Sequence, residues 1–223
     1  MLFIAGRLRL RSCLIIAIIA IAFSSPVVAQ QNDCTAPEAL AARAEDLSSQ
    51  WKVSTLRSAL DLFKRAAVCW GNAGLRREQA GALKRIGDIY FSLSEYNESL
   101  NSYQAALQYW KQAGDRKAEG YALVDVSTPL FFMNRPDSEA LQNSEEAASI
   151  GREYSDSRLT ARAENIIGKV YYRRGNFHEA DAHYAQALTL AREAGALAEE
   201  AQALHNIGQL RNDGGELSVA RDY

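Results

Sequence analysis

The residues that could do chemistry in this chain are few, and their spacing does not suit catalysis or metal binding. His178 and His183 lie five residues apart, so on one helix they point in different directions and cannot chelate a metal as an i, i+4 pair. Glu179 and His183 have the i, i+4 spacing, but two ligands do not make a metal site, and a solvated helical face explains both. The sequence contains no nucleophile elbow, phosphate-binding glycine loop or dinucleotide fingerprint. It therefore predicts no catalytic residue, metal site, cofactor or small-molecule substrate.

The composition of the 223 residues excludes several classes of protein. With 48% hydrophobic and 23% charged residues, the chain is neither wholly disordered nor a polytopic membrane protein. Its 25 basic and 27 acidic residues give a formal net charge of -2, without the basic excess that nucleic-acid binders usually carry. Strong helix formers dominate and only 4 prolines occur. We therefore predict an all-α fold and no nucleic-acid partner.

The N-terminal segment 1–29 has the pattern of a targeting signal. Three arginines form a basic region ahead of a short apolar core over 13–23, and Val27-Val28-Ala29 supplies small residues before a cleavage site. We predict a signal peptide over 1–29, cleavage near Ala29, and export to the periplasm or the extracellular space. The alternative is an uncleaved membrane anchor, but the apolar core is about half the roughly 20 residues that a membrane span needs.

Two cysteines remain after such a cleavage, because Cys13 leaves with the signal peptide. Cys34 just precedes the first predicted helix, and Cys69 lies at the end of its antiparallel partner. The two side chains should therefore be close in space, and we predict a disulfide between Cys34 and Cys69 in the exported chain.

The rest of the chain repeats itself at a fixed spacing. Ile86-Gly87 recurs as Ile167-Gly168 two periods later, and as Ile207-Gly208 one period after that. Ala73-Gly74 recurs as Ala113-Gly114 after a single period. These positions indicate a period of about 40 residues, which is typical of a solenoid. One extra residue is inserted between 123 and 144.

Each period carries two stretches of helical periodicity separated by turn residues. Gly87 lacks a Cβ atom, so the paired helix can approach closely, and we expect Tyr90 to fill the space beside it. Gly168 and Tyr171 repeat the arrangement, as does the glycine at 208. The predicted antiparallel helix pairs are 36–50 with 55–71, 77–93 with 96–112, 117–133 with 137–153, 158–174 with 177–193, and 198–212 with 216 onward.

These residues resemble a known repeat. The pattern Leu-x-x-Ile-Gly-x-x-Tyr, followed by Phe-x-x-Ala and Tyr-x-x-Ala-Leu, occurs over 164–188 with Glu164 at the leading leucine, and it resembles the tetratricopeptide repeat. The long period with its Ala-Gly link is similar to the longer-linker variety of that family. The resemblance covers residues 38–223 and implies a right-handed α-solenoid of antiparallel helix pairs. The domains it implies are a degenerate capping repeat over 30–76 and a solenoid over 77–223, with repeats at about 77–113, 117–154, 158–195 and 198–223, the last one truncated.

Parts of the chain depart from this pattern. Pro129 lies inside a predicted helix, where proline removes a hydrogen bond and usually kinks the chain, and an insertion lies near Asn134-Arg135-Pro136. The middle of the solenoid is therefore expected to be its least regular part. The tryptophans Trp51, Trp70 and Trp110 fall at helix ends or on helical stripes, and we interpret them as core residues.

By resemblance, the first helix of each pair lines a concave face. Aromatic and hydrogen-bonding side chains alternate on that face, as a peptide-binding groove requires. The fourth repeat is locally basic, which is compatible with a peptide of acidic character as well as with a merely solvated face. The lysine and asparagine clamp of chaperone-tail-binding members is not matched, since Asp88 stands where asparagine would be needed. The predicted groove residues are Lys84, Asp88, Phe91, Tyr121, Phe131, Arg162, Asn165, Lys169, Tyr172, Arg173, His205 and Gln209.

Two classes of function follow from the sequence. The first is an exported, non-catalytic scaffold that binds a protein or peptide partner. The second is a recruiting arm of an enzyme, because the run from Thr55 to Gly114 behind a signal peptide is similar to the N-terminal arms of bacterial caspase-like (CHAT-domain) proteins. In those proteins a Cys-His peptidase domain follows the repeats. The fifth repeat stops at Tyr223 before its second helix is complete, so we expect more sequence to follow.

Overall fold

The computed structural model describes residue 34, residues 36–133 and residues 137–213. These residues form helices joined by short turns, without a β-strand among them. The helices are α1 (Pro37–Ser48), α2 (Val53–Asn72), α3 (Arg76–Ser92), α4 (Tyr96–Ala113), α5 (Arg116–Phe132), α6 (Asp137–Glu153), α7 (Ser157–Arg173), α8 (Phe177–Glu193) and α9 (Leu197–Asp213).

The helices stack as an all-α solenoid. Each helix packs against the one before it and the one after it, and the short turns make neighbours antiparallel. The odd-numbered helices α3, α5, α7 and α9 also contact one another in turn, whereas extended contact between two even-numbered helices is absent from the described part of the chain. The odd-numbered helices therefore form the inner layer, and the even-numbered helices form the outer layer. The helix ends differ from the predicted ones by at most two residues within the described ranges.

Small residues let the helices of a pair approach each other. A Cβ atom added to Gly87 would lie 2.5 Å from the ring of Tyr103, and one added to Gly168 would lie 2.6 Å from the ring of Tyr184. The tyrosine over each glycine therefore comes from the second helix of the pair. Tyr90 and Tyr171, which were expected to fill the space beside the glycines, are half-buried and pack against the core on the same helix as the glycine.

The tryptophan prediction is only partly correct. Trp70 is buried in the N-terminal core, where its indole N–H donates to Glu38 at 3.2 Å. Trp51 is 73% exposed, because it occupies the turn between α1 and α2 with a positive φ of 52°. Trp110 is half-buried at the end of α4.

The third repeat keeps its helix despite its proline. α5 continues through Pro129, which lies fully inside the core. The hydroxyls of Ser127 and Thr128 donate to the carbonyls of Leu123 and Val124 at 2.8 and 2.9 Å, one turn back along the helix. The predicted insertion at 134–136 lies outside the described residues.

A disulfide joins Cys34, which precedes α1, to Cys69 in the last turn of α2. The Sγ atoms of Cys34 and Cys69 are 2.08 Å apart, and their Cα atoms are 5.3 Å apart. Cys69 is buried and Cys34 is exposed, so the bridge runs from the surface to the buried side of α2, next to Trp70 of the N-terminal core.

Two sequence predictions fall elsewhere in the chain. The signal peptide over 1–29 and the helix from 216 onward both lie outside the described residues. Of the helices in the described ranges, none is long and apolar enough to cross a membrane.

Candidate peptide-binding groove

The inner faces of α5, α7 and α9 enclose a pocket of about 260 Å³, which we call the central pocket. It brings together three residues that the sequence assigned to a groove: Arg162, Asn165 and Lys169. Glu199 and Gln202 of α9 also line the pocket, and the sequence pattern did not indicate them. The remaining lining residues are Val124, Thr128, Ile166 and Ala198.

Arg162 is held in place by a buried carboxylate. Its guanidinium donates to Asp125 of α5 at 2.7 Å and lies over the ring of Tyr121 with 5.7 Å to the centroid. Burial alone would lower the pKa of Arg162, but the attraction and hydrogen bond of Asp125 outweigh it, so the pKa is raised. The positive charge of Arg162 is therefore neutralised by Asp125 within the protein. The ion pair links α7 to α5 along the wall of the pocket.

Asparagine side chains link α7 to α9 at the floor of the pocket. The side chain of Asn165 is buried, and its carbonyl oxygen accepts from the amide of Asn206 at 3.1 Å. The amide of Asn165 points to the backbone carbonyl of Glu199 at 3.5 Å. Gln202 donates to the side-chain carbonyl of Asn206 at 3.3 Å, so the amides form a chain between the two helices.

Lys169 differs from the other cations of the groove. Its ammonium group makes no hydrogen bond or ion pair with any residue in the described ranges, and its nearest ring contact is Phe132, 6.0 Å from Nζ to centroid. Burial lowers the pKa of Lys169. A desolvated cation without a counter-charge is destabilising, and an incoming carboxylate would relieve that cost.

Glu199 is the acidic residue of the central pocket. One carboxylate oxygen accepts from the guanidinium of Arg158 at 2.9 Å, while Oε2 is buried without a hydrogen-bond partner among the described residues. The unpaired polar group that the pocket presents is therefore the ammonium of Lys169, because Oε2 of Glu199 is buried.

Arg173 and the predicted aromatic residues Phe91 and Phe131 lie at the edge of the groove. Phe91 is at the end of α3 and Phe131 is at the end of α5. Arg173 pairs with Asp137 and donates to the backbone carbonyl of Phe131, and its guanidinium lies 4.1 Å from the centroid of the Phe131 ring. Burial and the neighbouring Arg174 lower the pKa of Arg173. Phe91 packs edge-on against Phe132, with ring centroids 5.3 Å apart. Arg173 is thus committed to internal contacts rather than presented to a ligand.

A second pocket of about 210 Å³ lies between α3 and α5, with α4 as its floor; we call it the socket. Its mouth carries Lys84, Tyr121 and Asp125, and its floor carries Tyr103 and Trp110. Small residues complete the lining: Ala80, Gly81, Ala106, Ala118 and Ala122.

The polar residues around the socket are held by neighbours. Asp88 pairs with Lys84 at 2.9 Å and accepts a hydrogen bond from the hydroxyl of Tyr103 at 2.8 Å. Burial first, and then Asp88, raises the pKa of Tyr103. Burial and the nearby Asp156 raise the pKa of Tyr121 to about 12, and its hydroxyl donates to Asp156 at 3.1 Å.

The remaining predicted groove residues lie near the end of the described chain. His205 and Gln209 are exposed on α9, outside the central pocket. The amide of Gln209 lies 3.5 Å from the hydroxyl of Tyr172, which also contacts Asp213. In the described ranges, no group of three or more His, Cys, Asp and Glu side chains could hold a metal ion.

Comparison with known families decides what kind of repeat this is. Family profiles described as tetratricopeptide repeat match residues 80–109, 138–193 and 159–223. The chain carries tetratricopeptide repeats. The matches include α7 and α9, which supply most of the central pocket, so the groove lies on the inner helices of these repeats.

Solved structures share this repeat architecture at low sequence identity. A Rap protein complexed with Competence and Sporulation Factor is 17% identical, with a TM-score of 0.71, over 82% of this chain and 50% of that one. Aspartyl phosphate phosphatase F from Bacillus subtilis is 18% identical, with a TM-score of 0.69, over 82% of this chain and 47% of that one. The tetratricopeptide-like repeats of a putative kinesin light chain from Podosopora anserina are 12% identical, with a TM-score of 0.63, over 84% of this chain and 92% of that one.

The chain spans about half the length of the first and the second of these structures, and the likeness concerns the fold. No curated protein matches this chain significantly.

Proposed function

We propose that this tetratricopeptide repeat chain is a non-catalytic scaffold that binds a peptide segment of a partner protein in the groove of α3, α5, α7 and α9. The observation that carries the proposal is Lys169, an unpaired and partly desolvated cation in the central pocket. The Rap protein of similar fold, crystallised with Competence and Sporulation Factor, supports a role in binding.

The acidic character of the ligand follows from the pairing of the cations. Four basic residues of α7 and its end were candidates for an acidic ligand, and three of them already have a carboxylate: Arg162 has Asp125, while Arg173 and Arg174 share Asp137. Lys169 alone is left within the described part of the chain. We therefore propose one carboxylate of the ligand at Lys169, rather than a densely acidic ligand.

Export is part of the proposal and has one structural support. A disulfide such as Cys34–Cys69 persists in oxidising compartments and is rare in the cytosol. This agrees with a signal peptide over 1–29 and with a periplasmic or extracellular location. The alternative, a recruiting arm of a larger Cys-His peptidase of the CHAT type, depends on the resemblance of residues 55–114, and the coding sequence beyond Tyr223 tests it.

The function is tested by mRNA display. A random library of twelve-residue peptides is selected for binding to the full chain. We expect enriched peptides that contain Asp or Glu and that lose about ten- to hundred-fold in affinity for Lys169→Met, as the loss of a charge-assisted hydrogen bond predicts. Lys64→Met is the matched control, because Lys64 is exposed on the outer helix α2. A library without enriched peptides, or with peptides equally sensitive to both variants, would contradict the proposal.

A further inference from the structure

We infer that the socket between α3 and α5 receives one large apolar side chain of the bound peptide. This inference rests on the proposed function and adds a second anchor to the carboxylate at Lys169. The socket opens on the same inner layer as the central pocket, and Asp125 and Arg162, which pair at 2.7 Å, connect the two pockets.

The socket exists because one repeat has small residues where the next has large ones. Gly81 of α3 corresponds to Tyr121 of α5, and Ala118 of α5 corresponds to Leu159 of α7, one period further along the chain in each case. Leu159 is fully buried and fills the equivalent space between α5 and α7, where it lies against Gly120. Between α3 and α5 no such side chain is present in the described residues, so the floor on α4 stays open to the groove.

The chemistry of the lining selects an apolar occupant. The ring of Trp110 and the methyl groups of Ala106 and Ala122 offer no charge and favour burial of apolar surface. The charged groups at the mouth are already neutralised, since Lys84 pairs with Asp88 at 2.9 Å and Asp125 pairs with Arg162. A charged occupant would lose its hydration without gaining a free counter-charge. An apolar occupant has no such desolvation cost.

The size of the socket fits one side chain. About 210 Å³ is below the range of roughly 300–1,000 Å³ that small-molecule sites occupy, so a separate small ligand is a poorer fit. A leucine, isoleucine, methionine or phenylalanine side chain presented by a peptide backbone in the groove would occupy it. Burying such a side chain improves affinity by about ten- to hundred-fold.

Gly81 provides a direct way to close the socket. Gly81 lines the socket, and a Cβ atom added there meets no heavy atom within 4 Å, so a side chain at this position does not clash at its Cβ atom. Gly81→Leu should therefore fill the socket, and leucine should also favour the helix over glycine. Ala105→Leu is the matched control, because Ala105 is exposed on the outer helix α4.

The test uses peptides enriched on the full wild-type chain from the random twelve-residue library. We expect these peptides to share a large apolar residue at a fixed distance from the acidic one, and to lose about ten- to hundred-fold in affinity for Gly81→Leu but not for Ala105→Leu. Replacing that apolar residue by alanine should weaken binding to the wild type and should have little further effect on Gly81→Leu, because both changes remove the same contact.

The outcomes separate this inference from the proposed function. Peptides that depend on Lys169 but bind Gly81→Leu as well as the wild type would overturn the socket and leave the scaffold function standing. An absence of enriched peptides would overturn both. A thermal melt of Gly81→Leu at or above that of the wild type shows that any loss of binding is not a loss of fold. If Gly81→Leu melts lower, Gly81→Met, whose side chain is unbranched and more flexible, replaces it in the same measurements.

Discussion

The ring of Tyr184 covers Gly168 so closely that a Cβ atom on the glycine would lie 2.6 Å from Cδ1 and Cε1 of the ring. Tyr184 is 2% exposed and sits on α8, and Gly168 is buried on α7. The same relationship joins Tyr103 to Gly87 in an earlier repeat, so the pairs α3–α4 and α7–α8 meet in the same way.

Gly168→Ala should therefore destabilise the chain by about 1–2 kcal/mol, because the overpacking at Tyr184 exceeds the gain in helix propensity. Gly81→Ala is the matched control: its Cβ atom meets open space, so the same substitution should stabilise by about 0.5–1 kcal/mol. Urea unfolding followed by circular dichroism measures both. Equal effects of the two substitutions would show that the close approach at Gly168 is absent.

The disulfide between Cys34 and Cys69 should stabilise the N-terminal helix pair. It closes a loop with a sequence separation of 35, for which the chain-entropy model gives about 3–4 kcal/mol. In a Cys13→Ser background, thiol titration without reductant should find no free thiol, and the melting temperature should fall when dithiothreitol is added. Two titratable thiols in the unreduced protein would contradict the bridge.

Asp156 should make the stability of the third and fourth repeats depend on pH. It caps α7 by accepting from the amide of Leu159 at 3.0 Å, and it accepts from Lys117 at 2.8 Å. Burial would raise the pKa of Asp156, but Lys117, the Leu159 amide and the Tyr121 hydroxyl together lower it. A carboxyl with a lowered pKa stabilises the fold at pH values above its unfolded pKa, and this stabilisation is lost as the pH falls through the folded pKa.

Asp156→Ala should consequently lower the free energy of unfolding by about 1–3 kcal/mol at pH 7, through the lost cap and the lost charged hydrogen bonds. The difference from the wild type should shrink as the pH is lowered below about 4. Asp156→Asn keeps an N-cap oxygen and serves as the control for the charge. Melting curves between pH 3 and pH 7 measure the stability difference between Asp156→Ala and the wild type. A stability difference that does not change with pH would rule out the carboxylate as its cause.

Arg173 and Lys169 should behave in opposite ways although both are basic residues of α7. Arg173→Ala removes an ion pair with Asp137 and a ring contact with Phe131, so we expect a loss of about 1–2 kcal/mol of stability and little change in peptide affinity. Lys169→Met removes an unpaired cation whose pKa burial lowers, so stability should be equal or higher while peptide affinity falls. Thermal melts and titration of one selected peptide distinguish the two roles, and the reverse pattern would reassign the carboxylate anchor to Arg173.

The sequence was sufficient for the repeat but not for the contacts between repeats. The regular recurrence of Ile86-Gly87 and its copies located the helix pairs closely, because the pattern of buried residues on one helix is local in sequence. Which tyrosine covers Gly87 depends on how two helices cross, and that geometry is absent from the pattern of either helix. The prediction for Trp51 was wrong for a related reason: the residue is exposed in the turn after α1 with a positive φ, a backbone conformation that the helical pattern does not indicate.

The helices that line the groove could be predicted from the sequence, but only some of the lining residues could. Arg162, Asn165 and Lys169 were found because they occupy one face of α7. Glu199 and Gln202 were missed because the rotation of α9 about its axis decides which of its residues face inward. A signal for Glu199 was present: opposite charges recur about one repeat apart, as in Arg158 with Glu199 and Arg85 with Glu45.

The restriction of extended contacts to neighbouring and next-neighbouring helices has a mechanical consequence. In the described chain no such contact ties the first helices to the last, and the polar links that cross between repeats, such as Asn165 to Asn206, span one period only. A pulling force applied through residues 36 and 213 would load each interface in series rather than in parallel. The array should therefore extend elastically at low force and unfold one helix pair at a time at higher force. The disulfide between Cys34 and Cys69 should keep the first helix pair from being extended.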